Sequence, residues 1–220
     1  MSAHVTSYLD AIAHLPSGAT LTLTNVSWEE YEQLLQDLGE GSAVRVFYDH
    51  GWLEIVSPTG RHERSKDLIA YLVRAIADEL EQDLESFGST TFKEKELESG
   101  GEPDTCFYLQ TAARVKGNND LDLKTDPPPD VVVEVDVSHS SEKKLAFYRK
   151  LRVPEIWRYD GRRVVFYHLT ESGYVEASAS RALPLLTPDV LLQFLQQGEK
   201  EGQTPALRAF RKWVRQQLTG

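Results

Sequence analysis

Hydrophobic residues recur along the chain with two periods, one typical of helices and one typical of strands. Leucine or isoleucine recurs every four residues from Leu68 to Leu84, which predicts a long helix with one apolar face over 62–84. Ser27 and Glu30 form a capping-box pattern before an amphipathic segment, which predicts a shorter helix that ends at Gly39. Further helices are predicted over 141–151, 188–197 and 205–218, with a charged connector over 198–204.

The strands are predicted from β-prone runs bounded by turn residues: 44–48, 52–56, 90–97, 103–109, 130–138, 155–160, 164–169 and 174–177. A glycine-containing turn at 49–51 joins the first two runs into a hairpin. Residues 99–101, a serine and two glycines, are predicted to join the third and fourth runs into an antiparallel pair. The run 130–138 is dense in valine, which is typical of a central strand.

The order helix, three strands, helix, strand predicts a mixed α/β fold, preceded by an N-terminal helix and hairpin. The sequence contains no internal repeat and no low-complexity tract. We therefore expect a single domain over 1–220, with a core over about 44–178 and a C-terminal helical extension over 188–220.

The charge of the chain limits its partners. Lys and Arg number 24 against 34 Asp and Glu, a net charge of −10, which repels polyanions at a distance. Nucleic acid would need a local basic patch, and the residues that bind it are left unassigned. Two basic clusters occur: Arg149, Lys150 and Arg152, and Arg208, Arg211, Lys212 and Arg215. The second cluster is interpreted as the solvated face of an amphipathic helix that docks on the core or across a dimer.

The remaining composition excludes several classes of protein. The single cysteine, Cys106, excludes an internal disulfide and a cysteine-rich metal cluster. No apolar run is long enough to cross a bilayer, and the N-terminus lacks a basic segment followed by an apolar one. The sequence therefore predicts a cytoplasmic protein with no membrane partner.

Acidic residues recur on one face of the predicted central strand. Because side chains alternate along a strand, Glu134 and Asp136 share a face, whereas most valines of the run share the other. Asp104 adds a third acid in another β-prone run. Carboxylates resist burial unless a cation or hydrogen-bond donors compensate them. The pattern indicates either a cation site or a face open to water on which the acids are solvated.

Two residues of the predicted helices add to this pattern. Lys144 lies on the apolar stripe formed by Phe147, Tyr148 and Leu151. A lysine there needs an anion to meet or a route to solvent for its ammonium group. His62 faces inward at the start of the long helix, where it either makes a structural hydrogen bond or supports the site.

Several short motifs occur in a fixed order along the chain. They are Gly51-Trp52-Leu53-Glu54, Ser57-Pro58, His62, Glu102-Pro103-Asp104, Pro128-Pro129-Asp130 with Glu134, Lys144 with Tyr148, and Val153-Pro154-Glu155-Ile156-Trp157. The ordered set resembles the Uma-type restriction-endonuclease family, within the PD-(D/E)XK nuclease superfamily. No single motif is diagnostic, and the resemblance covers 28–174.

The resemblance implies a restriction-endonuclease-like fold that hydrolyses DNA phosphodiesters with Mg²⁺ or Mn²⁺. By position, Asp104 and Glu134 correspond to the metal-binding acids of the superfamily. The superfamily lysine would stand two residues after Glu134, where this chain has Asp136. The Uma-type pattern has its lysine in the following helix, which matches Lys144. The implied catalytic residues are therefore Asp104, Glu134 and Lys144.

Secondary candidates are Asp136, His62 and Tyr148. A homodimer is expected, because cutting both strands at once needs two sites. The alternative, motivated by Asp136 and the acidic net charge, is a non-catalytic module of the same fold that binds nucleic acid or a protein partner. A sugar hydrolase fits poorly, because acids two residues apart on one strand lack the separation that such enzymes use.

Overall fold

The computed structural model describes residues 3–39, 41–135 and 142–219. Over these residues the helices are α1 (Ala3–Ala13), α2 (Trp28–Leu38), α3 (Gly60–Glu79), α4 (Ala112–Val115), α5 (Glu142–Lys150), α6 (Pro188–Glu201) and α7 (Gln203–Thr219). The strands are β1 (Thr20–Leu23), β2 (Arg45–Asp49), β3 (Trp52–Val56), β4 (Glu85–Ser86), β5 (Phe92–Glu94), β6 (Ser99–Gly101), β7 (Thr105–Tyr108), β8 (Val131–Val135), β9 (Glu155–Tyr159), β10 (Val164–Thr170) and β11 (Gly173–Ala177). The predicted end of the central strand, with Asp136, lies outside the described residues.

The chain divides into two compact units, each with its own sheet. The first is drawn from the segments 1–60, 91–102 and 142–147, as far as these are described. The second is drawn in the same way from 61–90, 103–141 and 148–220. The single domain over 1–220 stays a prediction.

The first unit contains an antiparallel sheet in the order β1-β3-β2-β6-β5. Its core is aromatic: the rings of Tyr31 and Tyr48 stack with centroids 4.8 Å apart, and Trp28 meets both edge-on. Helix α2 begins with the predicted capping box, in which the Ser27 hydroxyl accepts from the Glu30 N–H and the Glu30 carboxylate accepts from the Ser27 N–H. The predicted helix is therefore confirmed.

The predicted hairpin joins β2 to β3 through two residues. Asp49 pairs with Trp52, and the intervening His50 and Gly51 have φ of 46° and 81°. Two successive positive φ values are those of a type I′ turn, whose twist matches that of the strands. The glycine supplies one of them without steric cost.

The predicted pairing of 90–97 with 103–109 is wrong. Strand β5 pairs instead with Ser99–Gly101, the segment predicted to be a turn. A Cβ at Gly100 would overlap the Tyr31 hydroxyl, and one at Gly101 would lie 2.8 Å from Phe47 Cδ2. These glycines therefore allow aromatic rings to pack against a strand, and the chain turns earlier, at a 3₁₀ turn over Lys95–Leu97.

The second unit contains a six-stranded mixed sheet in the order β11-β10-β9-β8-β7-β4. Strands β8 and β9 are parallel and α5 lies between them in the chain, whereas the other neighbours are antiparallel. Strand β8 is central, as predicted. The predicted mixed α/β fold is confirmed, but β4, which was not predicted, takes the place of the predicted strand 90–97, whose β5 belongs to the other sheet.

The core of the second unit packs α3, α6 and α7 on one face of this sheet. Val131, Val133 and Val135 of β8 join this cluster, as the alternation of side chains predicts. Glu134 points to the opposite face. The predicted helix over 62–84 is shorter than expected, because α3 ends at Glu79.

The predicted connector over 198–204 is also wrong, because α6 continues through Gly198 to Glu201. A Cβ at Gly198 would overlap Leu68 Cδ2, so the glycine is present for close packing of α6 on α3. The break between α6 and α7 is at Gly202, with φ of 100°. The predicted last helix is confirmed as α7, and α1 and β1 were not predicted.

Among the described residues, no helix combines the length and the apolar character that crossing a membrane requires.

Candidate active site

Two neighbouring strands bring Asp104 and Glu134 together. Strand β7 pairs antiparallel with β8, with Thr105 opposite Val133, and the Asp104 N–H donates to the Val133 carbonyl over 3.2 Å. Continuing this register by one residue places Asp104 beside Glu134. The structure therefore brings these two predicted site residues into one place within the second unit.

Both carboxylates are buried. Asp104 is 5% exposed and Glu134 is 2% exposed. The alternative of a face open to water, with solvated acids, is therefore wrong for these two residues. Two buried carboxylates side by side repel each other and require hydrogen-bond donors or a cation.

Asp104 is fixed by a backbone donor and by a histidine. The Val135 N–H donates to Asp104 Oδ2 over 2.6 Å, and His62 Nε2 lies 3.0 Å from the same oxygen. The predicted inward direction of His62 is confirmed, and the structure gives its partner. The backbone amide of Val135 had no signal in the sequence, because it depends on strand pairing.

His62 lies between two carboxylates, those of Asp104 and Glu63, at the start of α3. Burial lowers the pKa of His62, but the hydrogen bond and charge of Asp104, followed by those of Glu63, outweigh this effect and raise its pKa above the usual value. Glu63 Oε1 lies 3.4 Å from His62 Nδ1, and Glu63 also pairs with Lys66. Sequence reasoning missed Glu63 and Lys66, although their spacing of three residues on a helix was a usable signal.

Glu134 is fixed by Tyr148 of α5. The Tyr148 hydroxyl donates a hydrogen bond to Glu134 Oε1, and its ring is buried. Burial, followed by the charges of Glu134 and Asp104, raises the pKa of Tyr148 well above its usual value, so the phenol remains a donor at neutral pH. The secondary candidate Tyr148 is therefore in direct contact with the acid pair.

Cys106 is excluded as a nucleophile. It is buried on β7, and burial raises the pKa of its thiol to about 12. A thiol that stays protonated is inert.

The donor set suits a hard divalent cation. Asp104 and Glu134 offer carboxylate oxygens, which Mg²⁺ and Mn²⁺ prefer, and Mg²⁺ commonly uses one or two carboxylates with water and substrate phosphate completing its shell. The described residues contain no group of three or more His, Cys, Asp and Glu placed to hold a metal by themselves. A cation here would therefore need water or substrate oxygens as additional ligands.

The roles of the other two predicted site residues, Asp136 and Lys144, stay predictions. Asp136 lies outside the described residues. Lys144 is half-buried in α5 but belongs to the first unit, so its role at the site stays a prediction.

A model of the Uma2 family, described as "Putative restriction endonuclease", matches residues 28–197, which is more than half of the chain. The chain belongs to the Uma2 family. The matched range includes His62, Asp104, Glu134 and Tyr148, so the Uma2 region contains the whole cluster described above. The resemblance recognised from the motifs is confirmed.

One solved structure extends the comparison to the fold. It is described as a "putative nuclease belonging to DUF820" from Anabaena variabilis, and it matches with a TM-score of 0.51 at 12% sequence identity. The match covers 77% of this Uma2 chain and 99% of that chain, which supports the restriction-endonuclease-like fold. No curated protein matches the chain.

Proposed function

We propose that this protein is a divalent-metal-dependent endonuclease that hydrolyses phosphodiester bonds in DNA. The observation that carries the proposal is the buried pair of Asp104 and Glu134 on adjacent strands, each held by its own donor. Membership of the Uma2 family and the likeness to a protein described as a nuclease support the same class of chemistry.

In this proposal Asp104 and Glu134 hold Mg²⁺ or Mn²⁺. The ion would supply Lewis-acid activation of the phosphate and acidify a water molecule. His62 and the Val135 N–H orient Asp104, and Tyr148 orients Glu134, so that both carboxylates are positioned before the ion binds.

Lys144 is proposed as the catalytic cation. It lies four residues before Tyr148 in α5, so the two side chains project from the same side of that helix. An ammonium group at the reacting phosphate would offset the negative charge that develops on it.

Cleavage of supercoiled plasmid with Mg²⁺ or Mn²⁺ tests the proposal. Asp104→Asn and Glu134→Gln each remove a carboxylate charge and should lower the cleavage rate by at least roughly 10²-fold. Asp130→Asn is the matched control. Asp130 is also buried, at the start of β8, but its carboxylate accepts from the Leu109 and Thr111 N–H groups, so its loss should affect stability alone. Cleavage that is unchanged in both site variants refutes the proposal.

Calorimetry with Mn²⁺ separates an enzyme from a non-catalytic module. The proposal expects saturable Mn²⁺ binding in the wild type and in Asp130→Asn, and none in Glu134→Gln. Lys144→Met should bind Mn²⁺ normally and cleave slowly, because the lysine acts on the phosphate. Saturable binding of Mn²⁺ and DNA without any cleavage would instead support the non-catalytic module.

A homodimer is part of the proposal, because one site cuts one strand. Sedimentation should show a dimer at the concentration of the assay, and the plasmid should become linear without accumulating the nicked form. A monomer that only nicks would refute this part while leaving the nuclease itself standing.

A further inference from the structure

Helix α7 concentrates positive charge in an acidic protein. Its 17 residues include Arg208, Arg211, Lys212 and Arg215 and no Asp or Glu, although the whole chain has a net charge of −10. Such a segregation of charge produces a local positive potential that the net charge conceals.

The four basic residues share one side of α7. At about 100° per residue they fall within an arc of about 100°, with roughly 10 Å between Arg208 and Arg215 along the axis. The buried residues Ala206, Phe210 and Val214 lie on the opposite side. We call these four basic residues the basic row of α7. They line a shallow groove of about 440 Å³ together with Gln216 and Thr219.

Two members of the basic row anchor α7 to α3. Arg211 Nη1 lies 2.9 Å from both Asp78 Oδ2 and Glu79 Oε1, and Arg215 Nε lies 2.8 Å from Glu79 Oε2. The other two, Arg208 and Lys212, are exposed, and no ion pair within the described part of the chain involves them. Their charges are therefore available to an anion.

The basic row is aligned with the helix that carries His62. The Gln203 side chain donates to the Arg64 carbonyl over 3.0 Å, at the start of α3, whereas Arg215 binds Glu79 at its end. Helix α7 therefore runs parallel to α3. Because Arg211 and Arg215 bind Asp78 and Glu79, the row lies beside the last turns of α3, roughly 20 Å along that helix from His62.

We propose that the basic row of α7 binds the phosphate backbone of a DNA duplex. The two available cations, Arg208 and Lys212, lie about 6 Å apart along the helix axis, close to two base-pair steps of 3.4 Å each. The contact is independent of sequence, because it addresses phosphates alone. This inference rests on the proposed function, because the proposed substrate of the second unit is DNA and not another polyanion.

Fluorescence anisotropy with a duplex of about 20 base pairs tests the inference in EDTA, where cleavage does not interfere. Arg208→Gln/Lys212→Gln removes two cations and preserves the anchoring pairs. The slope of log K against log salt should fall by about 1.8, at about 0.9 per contact, and affinity at about 0.1 M salt should fall up to roughly 60-fold. Arg114→Gln/Lys116→Gln, which removes two exposed cations elsewhere in the second unit, should leave the slope unchanged.

The inference is overturned if both double variants bind the duplex with the wild-type slope. It is also overturned if Arg208→Gln/Lys212→Gln loses binding to phosphatidylserine vesicles but keeps its binding to the duplex, because the partner is then a membrane. If Arg208→Gln/Lys212→Gln still cleaves plasmid and binds the duplex with the wild-type salt slope, this inference is wrong and the proposed function stands. If the double variant has a lower salt slope but the wild-type protein does not cleave plasmid, the proposed function is wrong and this inference stands.

Discussion

Removing the Tyr148 hydroxyl tests whether its hydrogen bond to Glu134 stabilises the folded protein. Tyr148→Phe deletes one oxygen atom from a residue that is 1% exposed and leaves the ring in place. No cavity of consequence forms, so the change in the free energy of unfolding reports the hydrogen bond to Glu134.

The magnitude follows from the acceptor. A hydrogen bond to a charged group is worth about 1.5–3 kcal/mol, and the buried carboxylate that stays behind loses a donor in a region of low dielectric constant. Glu134 is 2% exposed, so water cannot readily replace the phenol. We expect Tyr148→Phe to lower the free energy of unfolding by about 2 kcal/mol in the absence of metal.

Two other tyrosines provide a graded series. The Tyr174 hydroxyl donates to the neutral Val153 carbonyl over 2.7 Å, so Tyr174→Phe should cost about 1 kcal/mol. The Tyr31 hydroxyl is buried and has no hydrogen-bond partner among the described residues, so Tyr31→Phe should be neutral or stabilising by up to about 1 kcal/mol. Urea unfolding followed by tryptophan fluorescence and circular dichroism measures all three.

The order of the three costs is the decisive result. If Tyr148→Phe is no more destabilising than Tyr174→Phe, the prediction is wrong. The hydrogen bond to the Glu134 carboxylate would then be no stronger than one to a neutral carbonyl. Adding Mn²⁺ supplies a second check: a bound cation offsets the carboxylate charge, so it should recover part of the stability lost in Tyr148→Phe.

Three further predictions concern packing, capping and pH. Ser27→Ala should lower the free energy of unfolding by about 1 kcal/mol in urea titrations, because it removes the side-chain acceptor at the start of α2. Gly198→Ala should lower it by about 1–3 kcal/mol through overlap with the buried Leu68, and a wild-type urea midpoint would contradict the close packing of α6 on α3. The hydrogen bond from Arg215 lowers the pKa of Glu79 below its ordinary 4.5, so that this stabilisation is complete above pH 4.5 and is lost as the pH falls through the lowered value. Glu79→Gln should therefore show a weaker loss of stability than the wild type between about pH 5 and pH 3, and identical acid profiles would contradict the pairing.

Local signals in the sequence predicted local structure well. The capping box needs only Ser27 and Glu30, and the hairpin needs only two residues that tolerate positive φ, His50 and Gly51. Both features depend on neighbours within a few positions of the chain, so the sequence contains all the information that they require.

Two glycines predicted to lie in a turn and a connector lie instead in a strand and a helix, because their role depends on distant residues. Tyr31 occupies the space that a side chain at position 100 would need, so this strand position requires glycine. Leu68 occupies the corresponding space at position 198, so this helix position also requires glycine. In each case the partner is far away in the sequence, and a glycine that permits close packing has the same local signature as one that makes a turn.

In the candidate site, too, features set by nearby residues were predicted and features set by distant residues were not. Alternation along β8 correctly separated Glu134 from the valines of the core, and the motif order led to Asp104. The contact of His62 with Asp104 required the antiparallel pairing of β7 with β8 and the position of α3, neither of which is encoded locally. Lys66, half-buried one turn after His62, was missed because it reaches the cluster only through Glu63.

The acid pair draws its parts from α3, β7, β8 and α5, which are far apart along the chain. During synthesis from the N-terminus, Asp104 leaves the ribosome well before Glu134, and Tyr148 follows last. Contacts of such large sequence separation form late in folding, because the loops between them must close first. Until α5 has been made, the growing chain lacks the phenol that holds the second carboxylate, so the nascent protein stays without its assembled centre.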